Sequence, residues 1–193
     1  MFRFMDNAIL LHGKPGKDEY YDASVPSASN SHWFPWLQKQ LLVNEIAAVT
    51  PEIPHAFSPQ YDVWRREFER FDIGPNTSLV GHSCGGGFLV RWLSEHKDVE
   101  VKHVILVAPW LDPFREDTTD FFEFEIDANL VKRTKSLVIF DSDNDSNGVH
   151  TSIAKIRENI KDVEYKEFHN YGHFTFGSMG TTEFPELLEV LLT

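Results

Sequence analysis

A single cysteine, Cys84, in 193 residues rules out an internal disulfide, and a reducing, cytoplasmic setting is the expectation that follows. Long apolar runs are missing as well. No stretch approaches the roughly 18 apolar residues of a membrane-spanning helix, so no membrane association is expected. The opening MFRFMDNAILLHG has neither a sustained apolar core nor a small-residue cleavage site, and no signal peptide is read there. Basic side chains are scarce, 18 against 30 acidic ones, giving a formal net charge of −12. Such a surface repels nucleic acid and anionic membranes and argues against a polyanionic substrate. The acidity is otherwise read as a solubility feature.

What is present fits one compact domain spanning 1–193. Hydrophobic residues make up 41% of the chain. Strand-like apolar runs recur at 7–13, 45–53, 77–83, 101–109, 135–141 and 163–168. Stretches with helical spacing separate them at 32–43, 61–71, 84–96 and 150–159, and another, 183–192, closes the chain. The runs are nearly all apolar rather than alternating, as in a parallel sheet covered on both faces. The pattern predicts an α/β fold, a doubly wound, mostly parallel sheet of about six strands. Ligands of such sheets bind at the carboxyl ends of the strands. Two long segments, 13–31 and 110–130, leave the sheet at that edge and are expected to be active-site loops, rims or lids, the alternative for the second being that Phe121, Phe122 and Phe124 pack an ordinary helix onto the sheet.

The sharpest signal is SLVGHSCGGGFLVRWL. Gly81-x-Ser83-x-Gly85 lies between a strand and an amphipathic helix, the context of a nucleophile elbow. There a serine occupies a strained turn, its hydroxyl projects above the sheet, and only glycine fits where neighbouring backbones approach. Ser83 is the candidate nucleophile. Cys84 is expected to be buried and to contribute only its N–H, at a helix start, to an oxyanion site. A second donor is expected from the backbone of Gly13 or Lys14, after the first strand. His12 is read as structural.

A serine hydroxyl needs a base, and in this fold the order is serine, acid, histidine. EFHNYGHFTFGS offers His173 in an irregular loop and His169 at a strand end, with His173 preferred. No further ligand lies near this pair, so no metal or other cofactor is expected. The acid is sought in LVIFDSDNDSNGVH. A calcium loop starting at Asp141 would need glycine sixth and glutamate twelfth, and Ser146 and Ser152 stand there instead. Asp145, ahead of an expected Asn147-Gly148 turn, is the preferred acid. Asp143 and Asp112 stay open as alternatives. Trp33, Phe34, Trp36 and Trp110 are candidate walls of a substrate pocket.

LLHG, SNSHWFPWLQKQL, GHSCGG, FDSDND and GHF together resemble the small single-domain serine hydrolases of the α/β-hydrolase class, the family that includes the retinoblastoma-binding serine hydrolase. The resemblance spans nearly the whole chain. It implies the strand order 2-1-3-4-5-6, hydrolysis of esters or small amides, and a Ser83–Asp145–His173 triad. Family members often carry Asp-Pro and a short turn where Ser146-Asn147-Gly148 stands here. The expected function is cleavage of small carboxylic esters through an acyl-enzyme. Amide or small-peptide hydrolysis and a non-catalytic binding role are the alternatives.

Overall fold

The computed structural model describes residues 6–117 and 119–193. Among these residues six parallel strands form one sheet: β1 (Asn7–Leu11), β2 (Ala47–Val49), β3 (Thr77–His82), β4 (Val101–Val107), β5 (Thr134–Ser142) and β6 (Glu164–Phe168). Their order is β2-β1-β3-β4-β5-β6, with β1 in register with β3 from Asn7↔Thr77 to Leu11↔Gly81. The expected order is therefore the observed one. Among the described residues seven α-helices accompany the sheet: α1 (Lys17–Tyr21), α2 (Phe34–Val43), α3 (Tyr61–Phe68), α4 (Cys84–Glu95), α5 (Asn147–Asn159), α6 (Phe176–Met179) and α7 (Pro185–Leu191).

The all-apolar strands are buried because aromatic clusters cover them. One cluster, beneath α3 and α4, joins Trp64, Phe68, Phe88 and Phe121, with Trp64 and Phe121 ring centroids 5.3 Å apart. The other, beneath α2 and α7, joins Trp33, Phe34, Phe140, Phe174 and Phe184. Each such side chain, fully buried, contributes about 2–3 kcal/mol of apolar burial.

Several boundaries differ from the sequence expectation. The run 45–53 yields only Ala47–Val49 as strand. Pro51 and Pro54 cannot donate to a ladder, and the Ile53 N–H goes to His12 Nε2 instead (3.0 Å). The expected Asn147-Gly148 turn is the first turn of α5. Ser146 is its N-cap, and its hydroxyl accepts from the Val149 N–H. Segment 110–130, apart from Thr118 (outside the described residues), packs in part onto the helices. Its Phe121 is core, and the carbonyls of Asp120 and Phe121 accept from Arg91 on α4 (2.6 and 2.9 Å).

One buried group ties this packing to pH. His103 on β4 is fully buried, bonded at Nδ1 to Ser136 and, among the described residues, unpartnered at Nε2. Burial, then the charges of Lys102 and Lys135, lower it from 6.5 to about 4. The unfolded chain thus binds a proton below 6.5 that the folded chain takes up only near 4. This contribution to stability is complete above 6.5 and is lost as pH falls towards 4. Between pH 7 and pH 5 the loss is about 1–2 kcal/mol. His103→Leu is expected to shrink the pH 7 to pH 5 difference in urea-unfolding free energy by that amount. An unchanged difference would remove His103 from the account.

Candidate active site

The chain leaves β1 for β2 on one side of the sheet and returns to β3 on the other, so a crevice opens between the carboxyl ends of β1 and β3. Gly13 follows β1 and Ser83 follows β3 at this crevice. Ser83 has φ 53° and ψ −119°, a conformation costly for any side-chain-bearing residue. Its neighbours explain how the turn is held. The Ser83 N–H donates to the Val107 carbonyl (2.9 Å), and the Ser83 carbonyl accepts from the N–H groups of Gly87 and Trp110 (3.1 and 3.0 Å). A Cβ on Gly81 would sit 2.6 Å from the Gly85 carbonyl oxygen, and one on Gly85 would sit 2.5 Å from that of His12. Glycine is required at both positions because the opposing atoms are backbone and cannot move aside.

Asp145 and His173 meet. The His173 Nδ1–H donates to Asp145 Oδ2 at 2.9 Å, with Oδ1 at 3.1 Å. The Asp145 side chain is 3% exposed and that of His173 35%, so a sheltered carboxylate holds a ring that still reaches solvent. With the proton on Nδ1, the neutral ring presents an unprotonated Nε2. Ser83 and His173 line one cavity of about 690 Å³, within the range of small-molecule sites. Among the described residues Ser83 Oγ makes no hydrogen bond to His173, and such pairs commonly close only when substrate is bound.

Asp143 also finds a histidine, but a different one. It is bonded to His169 Nδ1 and accepts from the Asn170 N–H (2.9 Å). The His169 side chain is 81% exposed, and neither residue lines the cavity. Asp112 accepts from the N–H groups of Glu116 and Asp117, capping its own turn, and has no hydrogen bond to either ring among the described residues. The density of polar groups in this loop now has a reason. Ser142 Oγ accepts from the Tyr171 N–H, Asn144 Oδ1 from the Gly172 N–H, and the Asp143 N–H donates to the Phe168 carbonyl. Asp141 accepts from the Tyr165 hydroxyl at 2.8 Å, and burial raises its carboxyl above the ordinary range. Residue by residue, the loop after β5 is fastened to the loop after β6.

Two further residues, neither given this role by the sequence reading, fix the backbone of that second loop. His82 is buried just before Ser83, and its Nε2–H donates to the His173 carbonyl (2.8 Å). Burial, then the nearby His173 ring, hold His82 well below its ordinary value, hence neutral. Trp33 Nε1–H donates to the next carbonyl, that of Phe174 (3.0 Å). Phe174 has a positive φ of 52°, costly for a residue with a side chain, and these clamps hold the loop there.

Gly13 and Lys14 line the cavity, and a Cβ on Gly13 would lie 3.0 Å from that of Ser83. His12 Nδ1–H donates to the Gly13 carbonyl (2.7 Å) while its Nε2 accepts from Ile53, so the buried ring is neutral and has one defined tautomer. Because C=O and N–H oppose each other across a trans peptide, the Lys14 N–H faces away from His12. The Lys14 ammonium is turned aside to Asp117 (2.5 Å). Cys84 is buried and its thiol pushed well up, mainly by desolvation. Its N–H, at the first turn of α4, has no partner within the helix.

Of the expected aromatic walls, Phe34 and Trp36 line the cavity, and Trp33 and Trp110 do not. Trp33 is core, stacked on Phe34 at 4.0 Å. Trp110 lies against Phe122, its ring edge over Gly148. The stretch 13–31, which folds in part into α1, does border the cavity, through Pro15, Glu19 and Val25 among others.

The family pattern described as serine hydrolase matches residues 25–193. The chain belongs to this serine hydrolase family. YdeN of Bacillus subtilis (strain 168) is 28% identical over 185 residues, which cover 91% of this serine hydrolase and 94% of YdeN. The crystal structure of YdeN superposes with a TM-score of 0.78, at 24% identity and 96% coverage of both chains. Est1E from Butyrivibrio proteoclasticus shares the fold at TM-score 0.67 and 14% identity, covering 97% of this serine hydrolase and 86% of Est1E. A pyrethroid hydrolase from Sphingobium faniae JZ-2 does so at TM-score 0.60 and 14% identity, with 96% and 95% covered.

Proposed function

We propose that this serine hydrolase is a cytoplasmic, single-domain enzyme that cleaves carboxylic esters of small, uncharged substrates through an acyl-enzyme. Ser83 Oγ attacks the ester carbonyl carbon while its proton passes to His173 Nε2. Asp145, hydrogen-bonded at Nδ1, keeps the ring in the right tautomer and stabilises the imidazolium. The carbonyl oxygen becomes an oxyanion that accepts from the N–H groups of Cys84 and of Lys14 or Gly13. Collapse breaks the bond to the leaving oxygen, which takes the proton from His173 and departs as the alcohol. Water, deprotonated by the same ring, then attacks the acyl-enzyme and releases the acid.

The observation that carries this reading is one arrangement. A serine in a strained strand-to-helix turn shares a cavity with a histidine whose far nitrogen is bonded to a sheltered aspartate. Esters are favoured over peptides because Phe34, Trp36, Phe176 and three prolines, Pro15, Pro26 and Pro35, give the cavity apolar walls suited to a small apolar ester, beside polar residues such as Asn30, Ser31 and Thr175. The test compares an aryl ester with its matched anilide. Ester turnover without detectable anilide turnover is expected. Equal rates would move the reading to amide hydrolysis, and a folded protein inert to both would move it to binding.

A further inference from the structure

We propose that His32 determines specificity in this cavity, its Nε2–H donating to an uncharged oxygen, such as a ketone or ether, on an aromatic ester substrate. The inference rests on the esterase reading and deepens it. His32 lines the cavity with Ser83 and His173, half-buried, at the end of the segment that rims it. Its backbone has φ 57°, a strained value that neighbouring structure must hold in place. The Phe176 N–H donates to its Nδ1 (3.2 Å), so the neutral ring carries its proton on Nε2. Among the described residues that bond is the ring's only one, which leaves Nε2–H for a ligand.

The surroundings set the ligand's chemistry. Burial lowers the ring below its ordinary value, so it acts as a neutral donor. It stands edge-on to His82, with centroids 6.1 Å apart, and the His82 ring lies 5.0 Å from that of His173. Phe34, Trp36 and Phe176 supply flat apolar walls suited to an aryl group. A carboxylate on the substrate is disfavoured, because Lys14 is already paired with Asp117 and Glu19 stands in the wall.

The experiment uses a matched pair, phenyl 4-acetylbenzoate and phenyl 4-isopropenylbenzoate, with their 3-substituted isomers. They differ in whether an oxygen acceptor is present. Binding is measured by calorimetry on Ser83→Ala, which removes turnover, with and without His32→Asn. Asparagine keeps an acceptor for the Phe176 N–H and tolerates positive φ, but does not reach as far as Nε2. Ser83→Ala is expected to bind a ketone member about tenfold tighter than its partner, with the preference abolished by His32→Asn. A preference that survives His32→Asn, equal weakening of both esters, no preference at the outset, or no binding of either would each overturn the proposal. Kinetics with Ser83 intact keep the two readings apart. Binding preference without hydrolysis would sink the esterase and spare His32, and hydrolysis without preference the reverse.

Discussion

Ser83→Ala is expected to lose about 10⁴–10⁶ in kcat on an activated ester while keeping the fold. The size follows from what the hydroxyl is asked to do. Without it no acyl-enzyme forms, and what persists is the effect of oxyanion donors and substrate positioning on attack by water. The fold should be indifferent. Alanine keeps the Cβ that Ser83 already carries in its strained conformation, and the hydroxyl makes no hydrogen bond among the described residues. Initial rates and thermal melting of the two proteins, side by side, check this. A loss below about a hundredfold would mean that Ser83 is not the attacking group.

The second large effect separates the aspartates. Asp145→Asn is expected to lower kcat by about 10⁴, because an amide beside Nδ1 no longer enforces the tautomer or stabilises the imidazolium. Asp143→Asn loosens the 168–172 loop from outside and is expected to stay within about tenfold, with some loss of thermal stability. The distinction lies in shelter. Asp145 is almost fully covered and holds the ring that lines the cavity, whereas the Asp143–His169 pair stands in solvent. Steady-state rates and melting temperatures of both variants decide the matter. Comparable rate losses at the two positions would mean that the loop acts as a unit and that no single acid can be assigned.

Much of this arrangement was legible in the sequence. The continuous apolar strands and the G-x-S-x-G between strand and helix are local signals, since their meaning depends on residues a few places away. The acid loop was half legible. Three aspartates at the end of a strand marked it, but what separates Asp143 from Asp145 is the shelter of each and the histidine it meets, and both histidines lie beyond residue 168. His82 and His32 escaped because their partners are 91 and 144 residues distant. A histidine just before the elbow serine, at a buried strand end, was nonetheless a signal that could have been used. The aromatics at 33–36 misled in part because W-F-P-W is apolar throughout and cannot show which ring faces core and which faces cavity. In segment 110–130 length points to a rim or lid and the phenylalanines to packing, and Arg91 and the Trp64 cluster hold Asp120 and Phe121 to the helices.

The most direct test of the central claim, an activated serine at position 83, is labelling with a fluorophosphonate and mapping of the adduct by mass spectrometry. One label per chain on Ser83, absent from Ser83→Ala and lost in a folded His173→Ala, is the predicted result. A folded native protein that takes up no label, or takes it up elsewhere, would contradict the account.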